Sequence, residues 1–247
     1  MEEVSLTIRS ADSTKTPDPW QQPCDVNIQR LYYIKGGRGY MVRDDGTKEL
    51  FQKGCIYIFP HNLKQQFVAE PGDPMDHVYF DFFSTPPIIA SQPLLFPVKE
   101  DSAVAEAFRF LDRLLRELKW EKNVDWEQQK QINRAALELI LRLLDSEREI
   151  PFSRDQTVSR TLEHIHARYS SPLSVEELAT EAGFAPNAFI RRFKRVMGQT
   201  PYAYIKDYRL MKAMELLSQG VTVARAAELV GYENGSSLSR ALAAKRI

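Results

Sequence analysis

Two segments in the last third of this 247-residue chain share one arrangement of apolar, glycine and aromatic positions. The first runs from Leu178-Ala179 through Gly183-Phe184 to Phe189 and Phe193, and the second repeats the arrangement 48 to 49 residues later. The members of the second segment are Ala226-Ala227, Gly231-Tyr232, Leu238 and Leu242. A repeat of this period indicates a duplicated supersecondary unit. The glycine between two apolar stretches predicts two helices joined by a tight turn.

Helix boundaries in the first unit are marked by capping residues. Ser174 and Glu177 form a capping-box pattern, which satisfies the first free N–H groups of a helix. Gly183 supplies the positive φ that a turn between crossing helices requires. Pro186 suits the first helical position because its nitrogen carries no hydrogen to donate. We therefore expect one helix from about residue 175 and a second from Pro186 to about Met197.

The second of these helices has a polar face suited to reading DNA. Helical spacing separates its apolar side chains from Asn187, Ile190, Arg191 and Lys194. The guanidinium of Arg191 matches the major-groove edge of guanine, and the amide of Asn187 matches adenine. Ile190 fits a thymine methyl group, while Lys194 and Arg195 suit phosphate contacts. The pattern predicts a recognition helix.

The C-terminal region resembles a known family over residues 157–242. The residues that carry the resemblance are Leu178-Ala179, Gly183-Phe184, Phe189-Ile190-Arg191-Arg192-Phe193-Lys194-Arg195, Gly198-Gln199-Thr200-Pro201, Tyr208-Arg209-Leu210, Ala213 and Leu216-Leu217. They are similar to the DNA-binding domain of AraC-type (AraC/XylS family) bacterial transcription regulators. The resemblance implies two helix-turn-helix units joined by one long helix from Pro201 to about Ser218. Eighteen helical residues span ~27 Å, which suits recognition helices in successive major grooves about 34 Å apart.

The resemblance also implies base-reading residues in the second unit, which are Gly235, Ser236, Ser239 and Arg240. This unit departs from the family, because Leu242-Ala243-Ala244 stands where the first unit has Phe193-Lys194-Arg195. The chain also ends at Ile247, before the glycine, proline and final helix with which such domains usually close. We therefore expect the second unit to contribute less to DNA reading than the first.

Charge is unevenly distributed although the formal net charge is zero. Residues 150–247 contain 14 Lys and Arg against 9 Asp and Glu, or +5, whereas residues 1–149 contain 19 against 24, or −5. A basic C-terminal domain favours nucleic-acid binding. No apolar run approaches the ~20 residues of a membrane span, and Met1-Glu2-Glu3 does not begin a signal peptide. We expect a cytoplasmic protein without a membrane partner. Cys24 and Cys55 lack metal or redox spacing and are expected to be structural.

Short strands are expected in the first hundred residues. Five segments rich in β-branched and aromatic residues are separated by glycine-containing turns, and they are 30–35, 40–43, 48–51, 55–59 and 77–83. Their succession is similar to the cupin-like barrel that precedes the DNA-binding domain in many AraC-type regulators. In that family the barrel commonly binds a small effector, often a sugar. The expected fold class is therefore α+β, with the barrel over residues 1–100.

Metal catalysis is not expected in this barrel. Metal-dependent cupins need several histidines and a carboxylate that converge on one ion. The segment contains His61 and His77 sixteen residues apart, with Lys64-Gln65-Gln66 where a ligand cluster would continue. We expect no metal, no cofactor and no enzymatic activity.

Aromatic residues are the better indication of an effector pocket, because such pockets combine apolar walls with a few polar groups. The candidates are Tyr32, Tyr40, Tyr57, Phe59 and Tyr79. Most aromatic residues of a barrel belong to its core, and the sequence does not separate the two classes. Trp20, in a proline-rich segment ahead of the barrel, either covers the mouth or packs on the surface.

Two amphipathic helices follow over residues 101–149. Asp101 is placed to cap the first, whose apolar stripe includes Phe108, Leu111 and Leu115. The second carries Leu139, Ile140 and Leu143. As an antiparallel hairpin the helices either cover the barrel or form a dimer seam, and the resemblance favours the seam. Residues 150–156 read as the interdomain linker, followed by the DNA-binding domain over residues 157–247.

The sequence as a whole predicts a sequence-specific transcription regulator that responds to a small molecule such as a sugar. Its expected partners are double-stranded DNA, the effector, a second copy of the chain and RNA polymerase. The alternative is a small-molecule-binding cupin protein whose incomplete second helix-turn-helix leaves it without productive DNA binding. Effector identity and the direction of regulation do not follow from the residues.

Overall fold

The computed structural model describes residues 4–23, 28–43, 45–61, 63, 66–118 and 126–244. The chain divides into two compact units, Met1–Phe152 and Ser153–Ile247, and the division falls inside residues 150–156. The first unit combines β-sheets with a helical hairpin, and the second is all α. The α+β fold class predicted from the sequence is confirmed.

The first unit contains two antiparallel sheets. In chain order the strands are β1 Ser5–Lys15, β2 Gln21–Pro23, β3 Gln29–Gly36, β4 Gly39–Val42, β5 Lys48–Leu50, β6 Cys55–Phe59, β7 Gln66–Ala69, β8 Asp76–Thr85 and β9 Leu94–Pro97. One sheet has the order β1-β8-β3-β6-β9, and the other has the order β2-β7-β4-β5. The two sheets share an aromatic core that includes Tyr32 and Phe59 from the large sheet and Phe67 from the small one.

Eight helices complete the described part of the chain. They are α1 Ala103–Leu118 and α2 Trp126–Glu147 in the first unit, followed by α3 Gln156–Arg168, α4 Val175–Glu181, α5 Pro186–Met197, α6 Pro201–Ser218, α7 Val223–Val230 and α8 Gly235–Ala244. The bounds of α4, α5 and α6 agree with those expected from caps and prolines.

Alternation along the strands assigns the two faces of the large sheet. Side chains of one parity, such as Leu31 and Ile58, pack in a cluster with the helical hairpin. Side chains of the other parity, such as Tyr32 and Tyr57, face the core shared with the small sheet. Successive strand residues point to opposite faces, so β3, β6 and β8 read as continuously apolar segments because both faces are covered.

Four strands of the first unit, β1, β2, β7 and β9, are not predicted from the sequence. The longest of them, β1, has the sequence Ser-Leu-Thr-Ile-Arg-Ser-Ala-Asp-Ser-Thr-Lys and pairs with β8 from Ser5 to Lys15. Its polar composition is not typical of a strand. Pairing with a strongly apolar neighbour overrides its weak intrinsic β propensity. The others, β2, β7 and β9, have only three or four residues each, too few for a clear alternation.

The hairpin covers the large sheet, and much of the apolar stripe expected for it is buried within the chain. Phe108, Leu111 and Leu115 are 0–3% exposed and belong to the sheet's core cluster, together with Ile140. Phe108 stacks on Tyr33 of β3 at a centroid distance of 4.4 Å. These side chains are buried because the outer face of the sheet is itself apolar and needs a cover. Leu139, by contrast, is 53% exposed.

The cap of α1 also differs from the expectation. Ser102 rather than Asp101 accepts the backbone N–H of Ala105, at 3.2 Å, and the helix begins at Ala103. A polar group then joins α1 to the sheet. Nζ of Lys35 on β3 lies 2.7 Å from Oδ1 of Asp112 and 2.8 Å from Oγ of Ser13. Burial would raise the pKa of Asp112, but hydrogen bonds from Lys35, Ser13 and Arg116 outweigh it and lower that pKa.

Candidate DNA-binding interface and effector cavity

The first helix-turn-helix consists of α4 and α5. The Ser174 hydroxyl accepts the N–H of Glu177 and the Glu177 carboxylate accepts the N–H of Ser174, so both bonds of the predicted capping box are present. Gly183 in the turn has φ +74°, and Pro186 stands at the start of α5. The capping box and Pro186 fix where the two helices begin, and Gly183 permits the left-handed backbone of the turn between them.

The two faces of α5 separate as the helical spacing predicts. Phe189, Phe193 and Met197 are 0–1% exposed and hold the helix in the domain. Four of the five predicted DNA-reading side chains are exposed, and Ile190 is half-buried; the exposed four are Asn187, Arg191, Lys194 and Arg195. All five occupy one helix that is anchored by its opposite side.

Arg192 was not singled out by the sequence analysis, and the structure gives it a separate role. Its Nε lies 2.9 Å from Oδ2 and 3.1 Å from Oδ1 of Asp155. Its guanidinium carbon lies 5.2 Å from the ring centroid of Phe184, in the turn between α4 and α5. Asp155 is also the N-cap of α3, because its carboxylate accepts the N–H of Val158. Arg192 is therefore a packing residue of the recognition helix.

The second helix-turn-helix, α7 and α8, is capped at both starts. Thr222 accepts the N–H of Arg225, and Asn234 accepts the N–H of Ser237 at 2.9 Å. Leu238 is fully buried in a cluster with α6 and α7. The predicted readers Ser236, Ser239 and Arg240 are exposed, and Gly235 is half-buried. The exposed surface of α8 is thus short and poor in charge.

The second helix-turn-helix is docked on the loop after α3. Gly231 has φ +79°, and a Cβ atom at this position would lie 2.6 Å from the carbonyl oxygen of Ser170. Arg209 of α6 donates to the carbonyls of Tyr169 and Ser171, at 2.7 and 2.8 Å. Burial lowers the pKa of Arg209, against opposing effects of Tyr232 and Tyr202. One loop therefore fixes both the long helix and the second turn.

The two histidines of α3, His164 and His166, contact side chains of neighbouring helices. Nε2 of His166 lies 2.7 Å from the hydroxyl of Tyr204, and its ring stacks on Tyr208 at 4.4 Å. Nδ1 of His164 lies 2.8 Å from a carboxylate oxygen of Glu181. Burial raises the pKa of Tyr204 well above its usual value. These contacts join α3 to α6 and α4.

The first unit contains a cavity of about 400 Å³ on the inner side of the large sheet. Its volume lies in the range of small-molecule pockets, roughly 300–1,000 Å³. It is lined by Thr14, Lys15, Thr16, Pro17, Trp20, Arg30, Tyr32, His77, Tyr79 and Asp81. Lys15 and Pro17 are exposed, whereas Arg30, Tyr32 and His77 are buried, so the lining passes from an accessible rim to a polar floor.

A bidentate ion pair forms part of that floor. Nε of Arg30 lies 2.6 Å from Oδ1 of Asp81, and Nη2 lies 3.1 Å from Oδ2. The side chains are 2% and 9% exposed. A charged residue between Phe80 and Phe82 is the sequence signal that such a pair exists, since isolated charges are rarely buried.

His77 and Tyr79 complete the floor of the cavity. Burial lowers the pKa of His77 to about 4, so the ring is neutral near pH 7. Burial raises the pKa of Tyr79, with a further contribution from Asp81. Both side chains are therefore uncharged hydrogen-bonding groups next to a neutralised ion pair.

The structure divides the predicted effector residues. Tyr32 and Tyr79 line the cavity. Tyr57 and Phe59 pack against Phe51 in the shared core and do not line this cavity, because their strand lies farther from its rim. Tyr40 lies on β4 and has Lys48 over its ring. Trp20 lines the cavity, and its ring stacks on the buried Phe67 at a centroid distance of 6.5 Å.

Within the described residues, no three His, Cys, Asp or Glu side chains are grouped so as to hold a metal ion. His61 and His77 contact different aromatic rings, of Phe83 and Tyr32 respectively. Of the helices in the described part of the chain, none combines the length and apolar character needed to cross a membrane.

Sequence comparison places known relatives on the C-terminal domain. Residues 178–245 match the family model described as a helix-turn-helix domain. The regulator AlkR of Acinetobacter baylyi is 32% identical over 85 residues, which cover 34% of this chain and 28% of AlkR. A putative AraC-like transcription regulator of Streptomyces lividans is 33% identical over 94 residues, covering 38% of this chain and 30% of that protein. The matched segment thus spans less than a third of either relative.

Structural comparison extends over the whole chain. The crystal structure of ToxT from Vibrio cholerae aligns with 94% of this chain and 91% of its own, with a TM-score of 0.60 at 8% identity. A ToxT structure with bound unsaturated fatty acid aligns with a TM-score of 0.58 at 8% identity, covering 99% and 92%. At this identity the likeness concerns the fold. Residues 178–245 therefore match a helix-turn-helix domain and are similar to part of AlkR and of the AraC-like regulator, and the chain as a whole shares its fold with ToxT.

Proposed function

We propose that this protein is a sequence-specific transcription regulator that acts in the cytoplasm and changes its DNA binding when a small polar molecule occupies the N-terminal cavity. The proposal of DNA binding rests on the arrangement of side chains on α5. Its predicted reading side chains lie on one side, Asn187, Arg191 and Lys194 are exposed there, and Phe189 and Phe193 anchor the opposite side in the core. A helix held in this way can enter the major groove with its readers outward.

The cavity supports a polyhydroxylated effector, such as a sugar. Its floor offers an ion pair, a neutral imidazole and tyrosine hydroxyls, while Trp20 supplies a flat apolar wall at the rim. Sugar hydroxyls both donate and accept, so they can satisfy Arg30, Asp81 and His77 together. An acyl chain offers this polar floor no hydrogen-bonding groups along its length, whereas a sugar offers several. The fatty acid in the ToxT structure is therefore the less favoured class here.

The exposed face of the helical hairpin supports a homodimer. Phe110 of α1 is 58% exposed and Leu139 of α2 is 53% exposed, although both are large and apolar. Half-buried Leu114 and Leu143 continue the two stripes at helical spacing. Large exposed apolar side chains are candidates for an interaction site, and a two-fold axis would place each helix against its copy. The seam expected from the sequence thus moves from Leu115 to Phe110.

DNA binding is tested by selection from a random-sequence duplex library with the full-length chain. One enriched half-site motif is expected, and its binding should be lost in the Asn187→Ala, Arg191→Ala double variant. A library that stays random, with only salt-sensitive unspecific binding, would contradict the DNA-binding proposal. It would favour the small-molecule-binding protein without productive DNA contacts.

Effector binding is tested by thermal shift with pentoses, hexoses and fatty acids. A ligand at a hundredfold excess over its Kd stabilises the folded state by about 2.7 kcal/mol. We expect a shift with one sugar class, absent in Arg30→Met and retained in a control with Lys48→Ala outside the cavity. Stabilisation by fatty acids alone would overturn the proposed class. Binding is expected to persist in EDTA.

Dimerisation is tested by sedimentation of variants at micromolar concentration. Phe110→Asp and Leu139→Asp are expected to give folded monomers, and Arg113→Ala on the same helix is the control. Leu115→Asp is unsuitable, since this buried side chain supports the fold. A wild-type monomer at these concentrations would contradict the dimer.

A further inference from the structure

The apolar contacts of α5 cover a narrow part of its circumference. Phe189, Phe193 and Met197 are buried, and steps of about 100° per residue place these three side chains within roughly 80° of one another around the helix. Asn187 and Arg191 are exposed on the other side. Hydrophobic attraction is non-directional, so such a stripe by itself allows the helix to turn slightly about its own axis.

Arg192 adds a directional contact at one edge of this stripe. It lies about 60° from Phe189, on the side away from Phe193. Its Nε is 2.9 Å from Oδ2 and 3.1 Å from Oδ1 of Asp155, and its guanidinium carbon is 5.2 Å from the ring centroid of Phe184. The Asp155 side chain is only 12% exposed. A charge-assisted pair that is largely shielded from water is stronger than a surface ion pair.

The partner of Arg192 is itself held in place at the start of α3. Oδ1 of Asp155 accepts the N–H of Val158 at 3.2 Å, and its backbone carbonyl accepts the N–H of Ser159 at 3.0 Å. The N–H of Asp155 donates to Oγ of Ser153 at 3.2 Å. The carboxylate therefore has a defined position, and the pair with Arg192 transmits that position to α5.

We propose that Arg192 is a positioning residue, which pairs with Asp155 to hold α5 at one rotation about its axis and so places Arg191 and Asn187 for base recognition. This role presupposes the proposed DNA binding. A rotation of about 15° moves an atom ~6 Å from the helix axis by about 1.5 Å, whereas N–H···O bonds form within a range of roughly 0.5 Å. Base contacts are therefore lost first, since Lys194 can follow the rotation through its flexible stem.

The test measures how well the full-length protein distinguishes the operator selected from the random library from versions with one substituted base pair. The positions read by Arg191 are those at which Arg191→Ala no longer discriminates. Wild type is expected to bind duplexes substituted there roughly tenfold or more weakly. Arg192→Met keeps the apolar contact with Phe184 but removes the charge, and it is expected to reduce this ratio to about threefold because the base contacts are misaligned.

Companion variants address the same pair from its other side. Asp155→Ser retains a hydroxyl that caps α3 but is too short to reach Arg192, so the same reduction is expected. The double variant should lose no more than either single variant, because both remove one contact. Arg192→Lys keeps the charge and should retain part of the ratio. Arg225→Met breaks an ion pair with Glu228 in which both side chains are more than 60% exposed, and this control should keep the wild-type ratio.

Two further readouts separate positioning from folding and from direct DNA contact. A partly unfolded variant binds every duplex more weakly by the same factor, so its ratio stays at the wild-type value. A residue that neutralises a phosphate contributes about 0.9 to the slope of log affinity against log salt. Arg192→Met is expected to leave that slope unchanged.

The outcomes are distinct. Wild-type ratios in both Arg192→Met and Asp155→Ser would overturn the positioning role, whether or not overall affinity falls. A smaller salt slope in Arg192→Met, with a wild-type ratio in Asp155→Ser, would make Arg192 a phosphate contact instead. Absence of any enriched motif for the wild-type protein would contradict DNA binding itself, and the positioning role with it.

Discussion

Adjacent arginines on α5 perform different tasks. Arg191 is exposed on the predicted reading face, while Arg192 turns toward Asp155 and the ring of Phe184. One helical step of about 100° separates them, which is enough to change a base reader into a packing residue. A run of basic residues is therefore not by itself a measure of how many side chains touch DNA, and each side chain has to be placed.

Arg191 and Arg240 allow the two recognition helices to be compared. Arg191→Ala is expected to cost ~1–3 kcal/mol of specific binding and to relax base choice at one position. Arg240→Ala should cost clearly less, because Ala243 and Ala244 of α8 stand where α5 has Lys194 and Arg195, the residues expected to set the register through phosphate contacts. Titration of both variants against one selected operator measures the difference. Equal losses would show that the second helix-turn-helix contributes as much to base recognition as the first.

His77 is expected to make the stability of the first unit pH-dependent. Its pKa in the folded state is about 4, below the 6.5 of an exposed histidine. Between these values the unfolded chain binds a proton that the folded state does not, so stability falls as the pH drops from 6.5 to 4. The loss approaches about 3 kcal/mol, since each factor of ten in proton affinity is worth roughly 1.4 kcal/mol.

Urea unfolding at pH 7 and pH 5 measures this effect. Wild type should lose more stability between the two values than His77→Gln, which carries no titrating ring. His164→Gln, in the other unit, is the control and should resemble wild type in the transition of the first unit. An identical pH response in His77→Gln and wild type would contradict the assignment.

Turns determine how the elements of the C-terminal domain meet. Gly183 and Gly231 occupy equivalent positions in the two helix-turn-helix motifs, with φ values of +74° and +79°. Their surroundings differ, because nothing lies within 4 Å of a Cβ at Gly183, whereas Ser170 blocks one at Gly231. The first turn therefore needs glycine for its backbone, and the second also needs it for close docking on the loop after α3.

The two glycines provide a matched pair of substitutions. Gly183→Ala is expected to cost about 1–2 kcal/mol from the left-handed backbone alone. Gly231→Ala should cost more, because the loop at Ser170 must also move by several tenths of an ångström. Urea unfolding of the C-terminal domain within the full chain measures both. A smaller loss for Gly231→Ala would contradict the observed docking.

At the scale of the whole molecule, charge separates the two units. The basic residues 150–247 carry +5 and the remainder carries −5. Binding that depends on phosphate contacts weakens with salt as counterions are released. The acidic residues 1–149 balance this charge, so the formal net charge of the protein is zero.

The basic residues of α5 are expected to determine how strongly DNA affinity depends on salt concentration. Replacing Lys194 and Arg195 together with Ala should reduce the slope of log affinity against log salt by about 0.9 for each phosphate that is no longer neutralised. Lys48→Ala, on the first unit, is the control and should leave the slope unchanged. Measurements of operator affinity over a range of salt concentrations give the slopes, and an unchanged slope in the double variant would exclude both residues from binding phosphate.

Local signals are sufficient to predict the helices of the first helix-turn-helix and the long helix that follows it. Ser174 with Glu177, Gly183, Pro186 and Thr200-Pro201 mark the bounds of α4, α5 and α6, because capping and φ restrictions act within one turn of the chain. The same holds for the strands of the large sheet with strong apolar composition, β3, β6 and β8. Helical spacing likewise places Arg191 and Asn187 on an exposed face.

Long-range pairing decided the remaining features. The polar strand β1 exists because β8 accepts it as a partner, and the burial of Phe108 and Leu115 depends on an apolar sheet assembled from separate segments of the chain. The cavity brings together Thr14, Arg30 and Asp81 from three strands. The periodicity of apolar residues indicates whether a side chain lies on the apolar or the polar face of a helix or strand. Only tertiary packing determines which surface that face contacts. For the same reason Arg192 reads as one more basic residue until α3 brings Asp155 beside it.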